Sequence, residues 1–410
     1  LAAAILSLAA CAKDPESGGG TAGTSGGGIG GGGAAGAGGG AGSYTPPALK
    51  LSHPNPIVSR GAQVFSMPAN GNAVVNSAYH NGGWTVPKAS LPAWVAIKLA
   101  AGPTGILISW DDGGTYDYQD PPGTTVYGLV ADYHFDVSSD STNGTDGTWT
   151  AAVSPGTSTP VAVTGNAVRT RAHAIDFTGK TWIKMVITAA PANESTNGVQ
   201  IGEIDVHDTS ATAPGRPEDT WFFMGDSITA FAFDRAVAHQ PSFAALISTA
   251  TSQAYLPATI NGGIGGEKTT DGLARLPDAL SLNPDYHFIA LSYGTNDAAN
   301  SQIPPATFKS NMQSMIDMVK AAGREPVIPH IPYAGDGSHG NIPAYNAAID
   351  ELTRTNQLQV GPDLYTTFMQ HPELFICPPC SHPMDNLHPN DDGFAAINKL
   401  WADAMRVVYP

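Results

Sequence analysis

The sequence predicts two folded regions, an all-β sandwich over residues 44–210 and an α/β domain with a parallel sheet over residues 218–410. Three observations lead there. After Glu218, apolar runs of strand length alternate with amphipathic segments of helix length, as in a parallel sheet covered by helices on both faces. Between Tyr44 and Asp208 short β-rich runs recur between turn clusters, with no competing helical period. Ahead of both, Ser17 to Ser43 is nearly all Gly, Ala, Ser and Thr and cannot bury a core.

The chain opens on a short apolar run, Leu1 to Ala10, followed by Cys11. It is too short to span a bilayer. Its small residues Leu8-Ala9-Ala10 suit the cleavage site of a secretory leader. LAAC resembles the bacterial lipobox, which implies lipidation of Cys11 and anchoring to a membrane on its extracytoplasmic side. A chance LAAC in an Ala-rich stretch is the alternative. Residues 12–43 then form a flexible linker, whose Gly-rich part of about 27 residues reaches about 30 Å on average.

A formal net charge of −16 argues against nucleic acid as a partner, which would need clustered Lys and Arg. Only 13% of residues are charged, so the polar surface must lean on Ser, Thr, Asn and Gly. That balance suits an extracytoplasmic protein.

Strands are predicted at 93–100 (AWVAIKLA), 105–110, 132–138, 181–189 and 201–208, with turns at DDGG, DPPG and SSDSTNGTDG between them. SAYHNGGWTVP, LPAWVAIKL, DVSSDSTNGTDGTW and IGEIDVHD occur in the order of parts of a discoidin-like (galactose-binding-like) jelly roll, and the region resembles that family. The resemblance implies loops that bind sugar, with Trp84, Tyr79 and His80 as stacking candidates. Core or loop packing, as for Trp94 and Trp182, is the alternative for each. The link 211–217, rich in Pro and Gly, reads as the domain boundary.

In the second region, helices are predicted at 242–250, 304–323, 342–356 and 392–408, and strands at 254–260, 286–293 and 325–331. Phe222 to Ala230, FFMGDSITA, runs from an apolar strand through Gly225 and Asp226 to Ser227. Ser227 therefore stands at a strand's C-terminal end, where open α/β sheets bind ligands. NGGIGGEKT (261–269), YGTND (293–297) and DNLHPND (385–391) follow later. A serine hydroxyl needs a base, and an imidazole base needs a carboxylate to hold its tautomer. Asp385 and His388 are three apart, a spacing that one helical turn would bring to a single face.

In order and spacing these four stretches resemble the blocks of the SGNH (GDSL-type) hydrolases, with GDSI in place of GDSL. The resemblance implies a flavodoxin-like three-layer domain and an ester hydrolase. Ser227 would be its nucleophile, His388 its base and Asp385 the orienting acid. The oxyanion hole would be the N–H of Ser227, the N–H of Gly266 (or Gly265, if the loop is shifted by one) and the side chain of Asn296. No metal or organic cofactor is implied. No GxSxG elbow is present, and no spacing marks the carboxylate pair of a glycosidase.

The expected substrate is an ester, an acetylated polysaccharide by analogy with secreted carbohydrate esterases. The alternatives are a lipase, lysophospholipase or thioesterase on longer acyl groups, and a carbohydrate-binding surface protein with an inactive hydrolase domain. Of three cysteines, Cys377 and Cys380 enclose Pro378-Pro379 and suit a local disulfide. Zinc held by the pair with His371 or His382 is the other reading. His330, at a strand end, could line the pocket or serve loop packing.

Overall fold

The computed structural model describes residues 44–75, 83–100, 102–112, 126–213, 215–234, 236–299, 302–376 and 384–410. Cys11, the Gly-rich tract, Tyr79, His80, Cys377, Cys380 and His382 lie outside the described residues, and so do the disulfide and lipidation readings.

Up to Asp208 the chain is built of strands: β1 (Gln63–Met67), β2 (Trp84–Val86), β3 (Ala93–Lys98), β4 (Gly105–Asp111), β5 (Val126–Gly128) and β6 (Asp132–Ser138). These are followed by β7 (Thr150–Ala151), β8 (Ala162–Val163), β9 (Thr170–Asp176), β10 (Trp182–Ala189), β11 (Glu194–Ile201) and β12 (Glu203–Asp208). The largest sheet runs β1-β3-β10-β6-β7, with β8 also on β6, and two three-stranded sheets run β2-β11-β5 and β12-β4-β9. Alternate residues of β3, β4, β6 and β10, among them Val95, Ile97, Ile106, Ile108, Phe135, Val137, Ile183 and Met185, meet in one core. This is the period-2 burial that the short alternating runs encode. Strand β9, absent from the predicted set, reads TRAHAID, with Arg, His and Asp interrupting its apolar positions.

The second region holds β13 (Thr220–Gly225), β14 (Ala258–Gly263), β15 (Phe288–Ser292) and β16 (Glu325–Val327), all paired in parallel in the order β14-β13-β15-β16. Its helices are α1 (Ser227–Ala232), α2 (Phe243–Ala250), α3 (Thr269–Leu282), α4 (Thr295–Ala298), α5 (Pro305–Ala321), α6 (Ile342–Thr355), α7 (Leu364–Gln370) and α8 (Asp391–Met405). Every residue of β13 is buried, because both faces are covered. Trp221 and Phe223 enter a core with α2 and α8 residues such as Phe243, Phe394 and Trp401. Phe222 and Met224 enter a second core with α3, α5 and α6 residues such as Leu276, Met312 and Ile349.

The strand 254–260 predicted from its apolar run is displaced: β14 begins at Ala258, and Tyr255 packs in the α2–α8 core instead. Helix α3 is not marked by its sequence, since Gly272 and Pro277 interrupt its pattern. Gly272 is needed there, since a Cβ would stand 2.5 Å from the Tyr293 ring.

The β-region and the α/β region share a polar boundary. Arg60 donates to the carbonyls of Leu256 (2.7 Å) and Pro257 (3.4 Å) and lies 3.6 Å from the Asp205 carboxylate. Thr170 donates to Asn283 at 3.0 Å and also meets the Tyr286 hydroxyl. The chain touches the α/β region even before its first strand. Leu51 donates its N–H to Val408 and packs in the α2–α8 core, and Asn55 bridges Asp219.

Candidate active site

Strand β13 lies between its successors β14 and β15, so the chain leaves it toward one side and later returns on the other. The crevice at such a reversal is where open parallel sheets place ligands. Ser227 follows the end of β13, and Asn296 follows the end of β15. Asp226 caps α1, its carboxylate accepting the Ile228 N–H at 3.0 Å, and so fixes where Ser227 begins the helix. Gly225 makes room for this turn, because a Cβ there would stand 2.3 Å from the Thr229 hydroxyl.

Ser227 Oγ lies 2.8 Å from His388 Nε2, and His388 Nδ1 lies 2.6 Å from Asp385 Oδ2. An acceptor at Nδ1 requires that nitrogen to carry the proton, which leaves Nε2 to accept from the serine hydroxyl. Burial works against the charge on Asp385, but the His388 imidazole and the backbone N–H groups of His388 and Leu387 outweigh it and hold its carboxyl well below the usual range. Asp385 and His388 do meet, though not through the helical turn that their spacing suggests. Residues 385–390 are non-helical. Asp385 Oδ1 accepts from Leu387 N at 3.0 Å and His388 N at 2.8 Å, while Asn386 sits at φ 58°. This is a tight Asx-type turn, and asparagine is the side chain that best tolerates that φ.

Two further loops converge. Gly266 adopts φ 77° at an exposed turn after β14, a conformation that favours glycine, with open space where a Cβ would be. Asn296 donates from Nδ2 to the Glu267 carbonyl at 2.9 Å, so one amide hydrogen ties its loop to the Gly266 loop while the amide carries a second. The array contains a hydroxyl, an imidazole in contact with it and a carboxylate orienting that imidazole, and the Gly266 and Asn296 loops follow the strands on either side of β13.

Residues 223–396 match the GDSL-like Lipase/Acylhydrolase family. This stretch is a GDSL-like hydrolase domain. An arylesterase of Vibrio mimicus is 29% identical over 147 residues, 36% of this chain and 68% of that protein. The thioesterase 1/protease 1/lysophospholipase L1 of Escherichia coli (strain K12) is 27% identical over 174 residues, 42% of this chain and 77% of that protein. The crystal structure of a lipase/acylhydrolase from Enterococcus faecalis superposes with a TM-score of 0.37 at 25% identity, covering 46% of this chain and 95% of that one.

Around the triad-like array, the GDSL-like domain carries buried polar groups that motif reasoning does not mark. Glu267, next to Gly266, accepts from Arg275 at 2.7 Å and from the Tyr293 hydroxyl at 2.8 Å. Burial raises the Glu267 pKa, and Arg275 pulls it back only in part. Asp297 accepts the Thr269 N–H and hydroxyl at the start of α3, fastening the β15 loop to that helix. Asp226 is buried beneath Ser227, and burial pushes its pKa up to about 6. Nothing in the spacing of these residues signals their contacts, which only the parallel sheet creates. His330 pairs with Asp350 and Asp363 and also borders a small cavity beneath Asp226, so both readings of it have an observation behind them. Among the described residues no cluster of three or more His, Cys, Asp or Glu could hold a metal.

The β-region corrects one candidate. Trp84 is 3% exposed in the core, its indole N–H donating to the Ala69 carbonyl, so it offers no face to a sugar. Trp94 and Trp149 stack instead on Lys184, whose ammonium lies 5.2 Å and 3.6 Å from their rings. The Asp- and Ser-rich hairpin is bound internally, Asp146 accepting from Ser141, Thr142 and Asn143. At the boundary of the two regions lies a cleft of about 320 Å³. Val168, Arg169 and Thr170 form one wall, and Gly262 to Ile264 with Arg275 and Asp278 form the other. Ile264 is two residues from Gly266.

Proposed function

We propose that the GDSL-like domain is a serine esterase with Ser227 as nucleophile, His388 as general base and acid, and Asp385 as the orienting acid, and that it removes acetyl groups from a carbohydrate. The unbroken hydrogen-bond path from Asp385 through His388 to Ser227 carries this reading. The Ser227 proton passes to His388 Nε2 as Oγ bonds to the ester carbon. The negative charge on the carbonyl oxygen is met by the N–H groups of Ser227 and Gly266 and by the Asn296 amide. Collapse of this intermediate breaks the ester C–O bond, and the leaving alkoxide takes the proton from His388. Water then attacks the acyl-enzyme, giving a proton to His388, and the acid departs as Ser227 is restored.

The substrate class rests on the strand-rich domain and on the cleft that both domains wall, which ends at Ile264, two residues before Gly266, and would seat sugar units. The strand-rich domain is in this reading a discoidin-like accessory module. In this reading the enzyme is held on a lipid tether at Cys11, outside the cytoplasm, which the LAAC segment and the Gly-rich tract support. A longer acyl substrate is the second reading, favoured by similarity to a bacterial thioesterase and lysophospholipase.

Hydrolysis of nitrophenyl esters from acetate to palmitate, by wild type and Ser227→Ala, tests both. Activity confined to acetate and absent from the variant is the expected result. A maximum at about eight carbons or more would favour the second reading. Equal rates in the two proteins would end the assignment of Ser227.

A further inference from the structure

His239 lies in the short segment between α1 and α2, with its side chain wholly buried. Its Nδ1 lies 2.9 Å from the Phe231 carbonyl and 2.8 Å from Asp234 Oδ1, and its Nε2 lies 3.2 Å from Asp391 Oδ1. All three partners are oxygens that accept. A neutral imidazole has one N–H and would turn a lone pair toward a carboxylate, so serving both sides requires two N–H groups. A cation between two carboxylates would meet all three contacts, a pairing that allows a charge to be buried.

The partners stand on the two elements that must meet for catalysis. Phe231 and Asp234 belong to α1 and its exit, and α1 begins with Ser227. Asp391 opens α8, three residues after His388. The Phe231 ring meets the His388 ring edge-on at 5.8 Å, and Phe394 packs on both Phe231 (5.5 Å) and His239 (4.9 Å). We propose that His239 is a positioning residue, a buried imidazolium that ties the nucleophile's helix to the loop bearing the base. This rests on the esterase reading above.

Burial alone would lower the pKa of His239, but Asp234 and Asp391 outweigh it and hold it above the ordinary value. Among the described residues, these two carboxylates are hydrogen-bonded to the ring. On α8, Asp392 is exposed, and Lys399 and Asp403 pair with each other. Activity then needs His239 charged, which gives the rate profile an alkaline limb.

The test is acetate-ester hydrolysis by the full chain from about pH 5 to 9.5, with Ser227→Ala as the blank. His239→Gln should lower kcat by on the order of tenfold to a hundredfold, leave KM within about twofold, and flatten the alkaline limb. Asp391→Asn keeps an acceptor for Nε2–H but withdraws its charge, so the alkaline limb should move down by about one pH unit. A limb unmoved in Asp391→Asn, or wild-type kcat in His239→Gln, overturns the proposal. So does a loss of activity that only follows the folded fraction and leaves the profile's shape intact. Nitrogen-15 shifts of the His239 ring read the charge without any turnover. A neutral ring at pH 7 refutes the cation even if Ser227 is the nucleophile, and hydrolysis surviving in Ser227→Ala sinks the esterase reading while this measurement stands.

Discussion

Asp285, just ahead of β15, is 1% exposed and sits at the boundary between the two regions. Burial pushes its pKa from 3.8 up to about 6, with Ser109 and Arg324 opposing the rise and Asp205 across the boundary adding to it. The folded state therefore binds this proton more tightly than the unfolded chain does. The resulting stability is fully present below about pH 4, is lost as pH rises through about 6, and is constant above. A displacement of about two units at 1.36 kcal/mol each is about 3 kcal/mol, and local relaxation would cut that to about half. Asp285→Asn is isosteric and never charges, and it removes the repulsion from Asp205. At pH 8 the variant should be more stable than wild type by about 1.5 to 3 kcal/mol, and at pH 4 about equal to it. Urea unfolding followed by tryptophan fluorescence at both pH values measures this. A variant less stable than wild type by the same amount at both would show that Asp285 is not a strained carboxylate, and would refute the reasoning.

Three predictions concern the site. Asp385→Asn removes the charge that selects the His388 tautomer, so kcat should fall by about 10⁴ with KM little changed in steady-state kinetics. Asn296→Ala deletes a proposed oxyanion donor and the bond to the Glu267 carbonyl, and kcat should drop by about 10² to 10³. Glu267→Gln leaves the Arg275 guanidinium without its carboxylate, which should cost about 3 kcal/mol in urea unfolding. It should also loosen the Gly266 loop, which hydrogen exchange at residues 264–268 would register.

Much of this protein was legible in its sequence, because local rules wrote it there. Residues 221–224 form an unbroken apolar run because both faces of β13 are covered, and the alternating runs of β3 and β6 mark a sheet with one buried face. Glycines flag the turns after β13 and β14, so Ser227, Gly266, Asn296, Asp385 and His388 could be proposed as site residues from motifs alone. Tertiary structure decided what depends on distant partners. It buried Trp84, and it joined Asp385 to His388 through an Asx-type turn, not a helix. It also set His239 between Asp234 and Asp391, the latter 152 positions further along the chain than His239. Such contacts leave no periodic trace, because the energy that holds them comes from partners that only the packed sheet and helices bring within bonding distance.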